Sequence, residues 1–209
     1  NGDTPKAQEV TDLTAFAGKT NDKIDKLING KHDVQGAFDE LVKQSQVLDK
    51  DYIKTFIRQT DAVIGLYNQR MQKAQQDMNA AATAGDENAR AAAQQRAEEN
   101  AKVMAKVYRD QAMVYMAIAK AKMDNGNDGG GAFDLLIDDG RNHDPNKSYN
   151  GAQGALRMAE ALSPNNPDMD QLGRIFSEQA KRMVEKKQAQ LNSSSTNALG
   201  YHDGYSRVN

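Results

Sequence analysis

Residues 51–123 run without a proline and with only two glycines, Gly65 and Gly85. Few folds are open to so long a stretch without breakers, because proline and glycine are the residues that most disfavour a helix interior. Gly85 lies in Ala84-Gly85-Asp86-Glu87-Asn88, a turn-like composition, so the stretch is predicted to be two long helices folded back on each other. On the outgoing arm Ile53, Ile57, Thr60, Ile64, Tyr67, Met71, Ala74, Met78 and Ala81 step by fours and threes. That spacing keeps one seam against a partner helix. The returning arm, from about Glu87 to Met123, carries one stripe of Ala97, Ala101, Met104, Tyr108, Ala112, Tyr115 and Ala119. A second stripe holds Val103, Val107, Val114 and Ile118. The returning arm is therefore apolar around much of its circumference near its end, whereas both arms turn to Ala, Gln, Asn and charge towards the turn. The expected fold is all-α, an elongated helical bundle built around a long antiparallel helical hairpin, with a polar tip and a packed base.

Composition agrees with an elongated shape. Only 38% of the 209 residues are hydrophobic and the mean hydropathy is -0.81, too little for a large spherical core. With 27 Lys+Arg against 29 Asp+Glu, no bulk charge draws the chain to a phosphate backbone, so nucleic acid is not expected as the main partner. No apolar run approaches the roughly 18 residues of a membrane-crossing helix, and no transmembrane segment is expected. The chain has no cysteine, which removes disulfides, thiolate metal sites and cysteine nucleophiles. Asn1 is read as either a processing point or a trimmed boundary.

Elsewhere a first helix is predicted over about Lys6 to Ile28, and a short one begins at Asp33 as N-cap with Val34, Ala37, Phe38, Leu41, Val42 and Leu48 inward. Asp49 is placed to cap the outgoing arm. Asp124 to Gly131 breaks the helical pattern, followed by a short apolar segment, Phe133 to Ile137, and a polar loop. A helix from about Ala152 to Leu162 follows. Asn166-Pro167 has the form of an N-cap with proline at the first helical position, opening a last helix to about Gln190 that uses Leu172, Ile175, Phe176, Ala180, Met183 and Val184. The expected organisation is 1–123 as a bundle with its hairpin, 124–150 as a Gly/Asp-rich loop region, 151–191 as a helix pair and 192–209 as a loosely held tail.

Chemical motifs are sparse. Asp124, Asn127 and Asp128 suggest an oxygen site, but a helix-loop-helix calcium loop needs ligands where Gly126 and Leu135 stand. A looser set of Asp138, Asp139 and Asp144 beside His143 is the one place where histidine and carboxylates cluster. A metal-dependent enzyme there would need a further ligand from another segment, and His32 and His202 are not tied to it. Nucleophile elbows, phosphate-binding loops and dinucleotide fingerprints are missing. Met71, Met78, Met104, Met113, Met116 and Met123 fall at helical spacing, which reads as gap filling in a narrow core rather than soft-metal ligation. No catalytic residue, metal or cofactor is expected.

The segment Tyr149, Ala152, Leu156, Ala159, Leu162, Pro164, then Asn165-Asn166-Pro167 and Leu172-Gly173, resembles the second helix of a tetratricopeptide repeat running into the next repeat. The resemblance covers about 28 residues, without a second copy at the 34-residue period, and implies a peptide- or protein-binding groove. Gln-, Ala- and Met-rich helices with a Ser/Asn tail are also similar in composition to internal virion proteins of short-tailed phages and to exported helical adaptors of bacterial envelopes. The expected function is accordingly that of a non-enzymatic structural or assembly subunit. Its partners would be protein subunits, as a homo-oligomer or larger assembly, in a virion or exported (periplasmic or extracellular) setting. The expected contact residues are Val103, Val107, Val114, Ile118, Tyr108 and Tyr115, on the face that two narrow arms cannot cover by themselves.

Overall fold

The computed structural model describes residues 25–47, 50–126, 135–136 and 151–205. All of its elements are helical: a π-helical turn over Lys26–Gly30, then α1 (Val34–Val47), α2 (Lys50–Ala84), α3 (Glu87–Asp124), α4 (Gly151–Leu162) and α5 (Pro167–Tyr205). Most of the predicted helix over Lys6 to Ile28, the Asp49 cap and the loop carrying Asp138, Asp139, His143 and Asp144 lie outside the described residues.

The hairpin forms where the sequence places it, and its turn shows why. Gly85 adopts a left-handed φ of 68°, which lets its N–H reach the Ala82 carbonyl (3.3 Å) and the Asp86 N–H reach that of Ala81 (2.9 Å). These two bonds are the Schellman closure of a helix C-terminus. Asp86 then begins α3, its carboxylate accepting from the Ala89 N–H at 3.1 Å. One dipeptide ends α2 and caps α3. Gly85→Ala is expected to cost about 1 kcal/mol, since alanine is strained at that φ. A fall in Tm of about 2–4 °C in a thermal melt would show it.

The seam on α2 is real: Thr60, Ile64, Tyr67, Ala74 and Ala81 are buried, with Ile57, Met71 and Met78 half-buried. Residues 82–92 are exposed without exception, so the tip is polar and uncovered. Arg96 crosses between the arms to Asp77 (3.3 Å), which Lys73 also binds at 3.0 Å.

At the base, α3 is the central helix. Met104, Val107, Tyr108, Ala112, Met113, Met116, Ala119 and Met123 are buried and belong to one core cluster. That cluster also draws on Val34, Ala37, Phe38 and Leu41 of α1, Leu136 beyond the glycine-rich break, and Ala152, Ala155, Leu156 and Ala159 of α4. The core therefore takes residues from both sides of the 124–150 region. Six buried methionines help fill it, four of them on α3, as flexible thioethers fill irregular gaps. The small face of α4, alanine at three of its four buried positions, lets its backbone approach α3 closely.

Local chemistry accounts for the shorter elements. Asp33 caps α1 by accepting from the Gly36 N–H at 2.9 Å. A Cβ on residue 36 would press on the capping carboxylate, which would have to shift to make room. Asn166 caps α5 by accepting from the Asp168 N–H (3.0 Å), with Asp168 and Asp170 in the first turn favouring the helix dipole.

Two expectations need correcting. The helix that opens at Pro167 does not end near Gln190 but continues to Tyr205. No proline interrupts Asn192 to Tyr205, and Ser, Asn and Ala are tolerated in a helix even where they are poor at burying surface. Val184 is not inward: it is 51% exposed. Leu172, Ile175, Gln179 and Met183 hold the buried stripe of α5, and the residue after Met183 is turned about 100° away from it.

Candidate protein-contact site

The six residues expected to meet a partner are not equally available. Val107 and Tyr108 lie inside the core, Tyr108 with 0% exposure, while Val103, Val114 and Tyr115 are half-buried against it. Ile118 is also half-buried. The apolar circumference of α3 is largely covered by α1, α2 and α4 of the same chain. Burial, with Asp61 nearby, pushes the Tyr115 phenol up to about 12, so it remains a neutral hydroxyl.

In the middle of this apolar helix sits a polar run, Arg109-Asp110-Gln111, all three residues buried. Gln111 reaches α2, its Nε2 donating to Thr60 Oγ1 (2.6 Å) and Asp61 Oδ1 (2.9 Å). Arg109 Nε and Nη2 both donate to Asp110 Oδ1, at 3.0 and 2.9 Å. Nη2 also donates to Asp25 Oδ1 at 3.1 Å, and Lys106 Nζ holds Asp25 Oδ2 at 2.7 Å. Asp110 Oδ2 and Gln111 Oε1 are buried without a hydrogen-bond partner. Burial works against the charge on Arg109, but Asp110 and Asp25 more than offset it and raise its pKa. Sequence reasoning passed over this cluster. The available signal is that a charged run in a helix apolar on several sides has no solvated face to occupy.

Two further ties join α5 to the rest of the chain. At its start, His32, in a left-handed conformation with φ 51°, places Nδ1 at 3.1 Å from Asp168 Oδ1. Further along, Arg182 binds Asp124 at the end of α3, Lys120 binds the same carboxylate (3.2 Å), and Lys186 Nζ donates to the Met123 carbonyl at 2.9 Å. Partial burial pushes the Asp124 carboxyl up, but the hydrogen bonds from Arg182 and Lys120 win and hold it below its usual value.

After these ties α5 leaves the core. No residue from 184 to 195 is buried, and Val184 and Leu191, seven positions apart, are 51% and 67% exposed. From residue 184 to Tyr205 the helix runs on for about 30 Å. A second surface is an open groove of about 550 Å³ between α4 and α5, where Phe176 and Leu156 meet Arg157, Glu160, Asp170 and Arg174. Among the described residues no three His, Asp or Glu side chains gather as metal ligands, and no helix is long and apolar enough to cross a membrane.

No protein-family model matches this chain, nor does any curated protein or solved structure. The helix–turn–helix of α4 and α5 includes the capped Asn166-Pro167 junction, one part of the segment that carries the tetratricopeptide resemblance, while Tyr149 lies outside the described residues.

Proposed function

We propose that this chain is a non-enzymatic assembly subunit that binds other protein subunits, copies of itself first among them, through helices. The distal half of α5 carries this reading. A helix with no tertiary packing is marginal in water, since most helical stability in proteins comes from burying an apolar face. Here residues 184–195 present Val184 and Leu191 at the seven-residue interval of a coiled-coil seam, and nothing among the described residues buries them. A partner helix laid along that side would bury the two side chains and support the extension. The near balance of Lys+Arg and Asp+Glu favours protein over nucleic acid as the partner. A virion or exported setting goes with this proposal on composition alone.

Solution mass by light scattering across concentration tests it. A stable multiple of 22.9 kDa is expected for the native chain, shifting to monomer in Leu191→Asp with helix content of the core retained. A monomer at every concentration would remove self-assembly. It would favour the second reading, in which the α4/α5 groove, with its paired charges around Phe176, takes an extended peptide in the manner of a tetratricopeptide-like adaptor.

A further inference from the structure

Asp25 stands immediately before the π-helical turn, 84 positions from Arg109, and is the charged anchor of that turn on the hairpin. Its two oxygens are held by Lys106 and by Arg109 Nη2, the same nitrogen that donates to Asp110. Nη2 carries two N–H groups and serves both acids at once, so Asp25 and Asp110 converge as neighbouring anions on one nitrogen. Asp110 is the less well satisfied of the two: both of its bonds fall on Oδ1, and Oδ2 is buried with no donor. An ionised carboxylate with one oxygen so isolated costs far more to bury than the neutral acid. We propose that this cluster is a pH-set latch between the segment at Asp25 and the hairpin, fastened when Asp110 is protonated and loosened when it ionises.

The step is a simple one. A proton from solvent adds to Asp110 Oδ2, the charge on that carboxyl disappears, and Arg109 is left with Asp25 as its one anionic partner. Loss of the proton restores a second anion on the same nitrogen, and its repulsion of the Asp25 carboxylate weakens the hold on Asp25. The charged groups about Asp110 among the described residues are Arg109 and Lys106 on its own helix and Asp25 from the preceding segment. From α2 comes Asp61, engaged by Gln111 and close to Tyr115. The buried faces of α1 (Val34, Phe38, Leu41) and α4 (Ala152, Ala155, Ala159) bring no charge. Burial first, and then the Asp25 carboxylate, push the Asp110 carboxyl above its ordinary 3.8, against the pull of Arg109 and Lys106. The sign follows: the native state holds this proton more tightly than the unfolded chain. Its favourable contribution is therefore present at low pH and is lost as pH rises through the raised value.

The test uses the full chain and Asp110→Asn, which fixes a neutral side chain. Hydrogen exchange at the Lys26–Gly30 amides, normalised to intrinsic rates, would be followed from about pH 4.5 to about pH 8. In the native chain protection is expected to fall, by up to about tenfold per pH unit where one proton controls opening. In Asp110→Asn it is expected to stay level. Protection that is flat in the native chain, or that falls equally in the variant, overturns the latch. If Asp110→Asn does not fold, the carbon-13 shift of the Asp110 carboxyl decides: a midpoint above the ordinary carboxylate range supports the latch, and one at or below it overturns the latch.

Discussion

Arg109→Met is expected to lower the unfolding free energy by about 3–5 kcal/mol, the cost of removing one partner from a buried ion cluster. The guanidinium is the hub: among the described residues it supplies both hydrogen bonds to Asp110 and one of the two contacts that anchor Asp25. Without it Asp110 is a fully buried carboxyl with no donor on either oxygen, and it must take up a proton to remain inside. Asp25 keeps Lys106 at 2.7 Å, so the damage centres on Asp110. The double variant Arg109→Met/Asp110→Leu removes both charges together and is expected to return to native stability or exceed it, because the desolvation cost of the pair disappears with the pair. Urea titrations of the three proteins check this. If the double variant is as unstable as Arg109→Met, the loss comes from packing around the guanidinium stem rather than from an abandoned charge.

What could be read from the chain was whatever is decided within a few residues. The hairpin turn needs a left-handed residue and a cap, and Gly85-Asp86 supplies both next to each other. Asp33 and Asn166 are legible as caps for the same reason, since an N-cap bond spans two or three residues. The seam of α2 is legible because its partner is the arm that the turn itself brings alongside. The partner of α3's remaining faces was not legible. An apolar circumference states that something covers the helix, and only the tertiary fold says that α1 and α4 do so rather than a second molecule. Arg109 and Asp110 illustrate the same gap at the candidate site. Adjacent opposite charges usually mark a solvated helix face, and the residue that draws them into the core, Asp25, stands 84 positions away. The extension of α5 is not legible for the opposite reason: a polar composition reads as looseness, although a helix needs no apolar face to be continuous, only one to be stable by itself.

Tyr108→Ala separates the two meanings of that apolar circumference. Tyr108 has no exposed surface and lies in the cluster shared with Phe38 of α1 and Ala155 of α4, so truncation is expected to cost about 3–5 kcal/mol, as for other buried aromatics. The cavity has little means of collapsing. Three of the four buried positions of α4 are alanines, which cannot extend into it, and α3 is held in register by Gln111 to Thr60 and Asp61. Tyr108→Phe keeps the ring and is expected to lose only about 1 kcal/mol with the hydroxyl. A contact residue for another subunit would behave differently, weakening association while leaving the isolated chain's unfolding unchanged. Denaturant unfolding measured on dilute Tyr108→Ala, beside the solution mass of the same protein, distinguishes them. A large loss of stability assigns Tyr108 to the core and leaves Val184 and Leu191 on α5 as the large hydrophobic side chains most exposed to a partner among the described residues. An unchanged unfolding curve with a lowered mass would return the interface to α3, and would require α1 and α4 to lie elsewhere in the free chain.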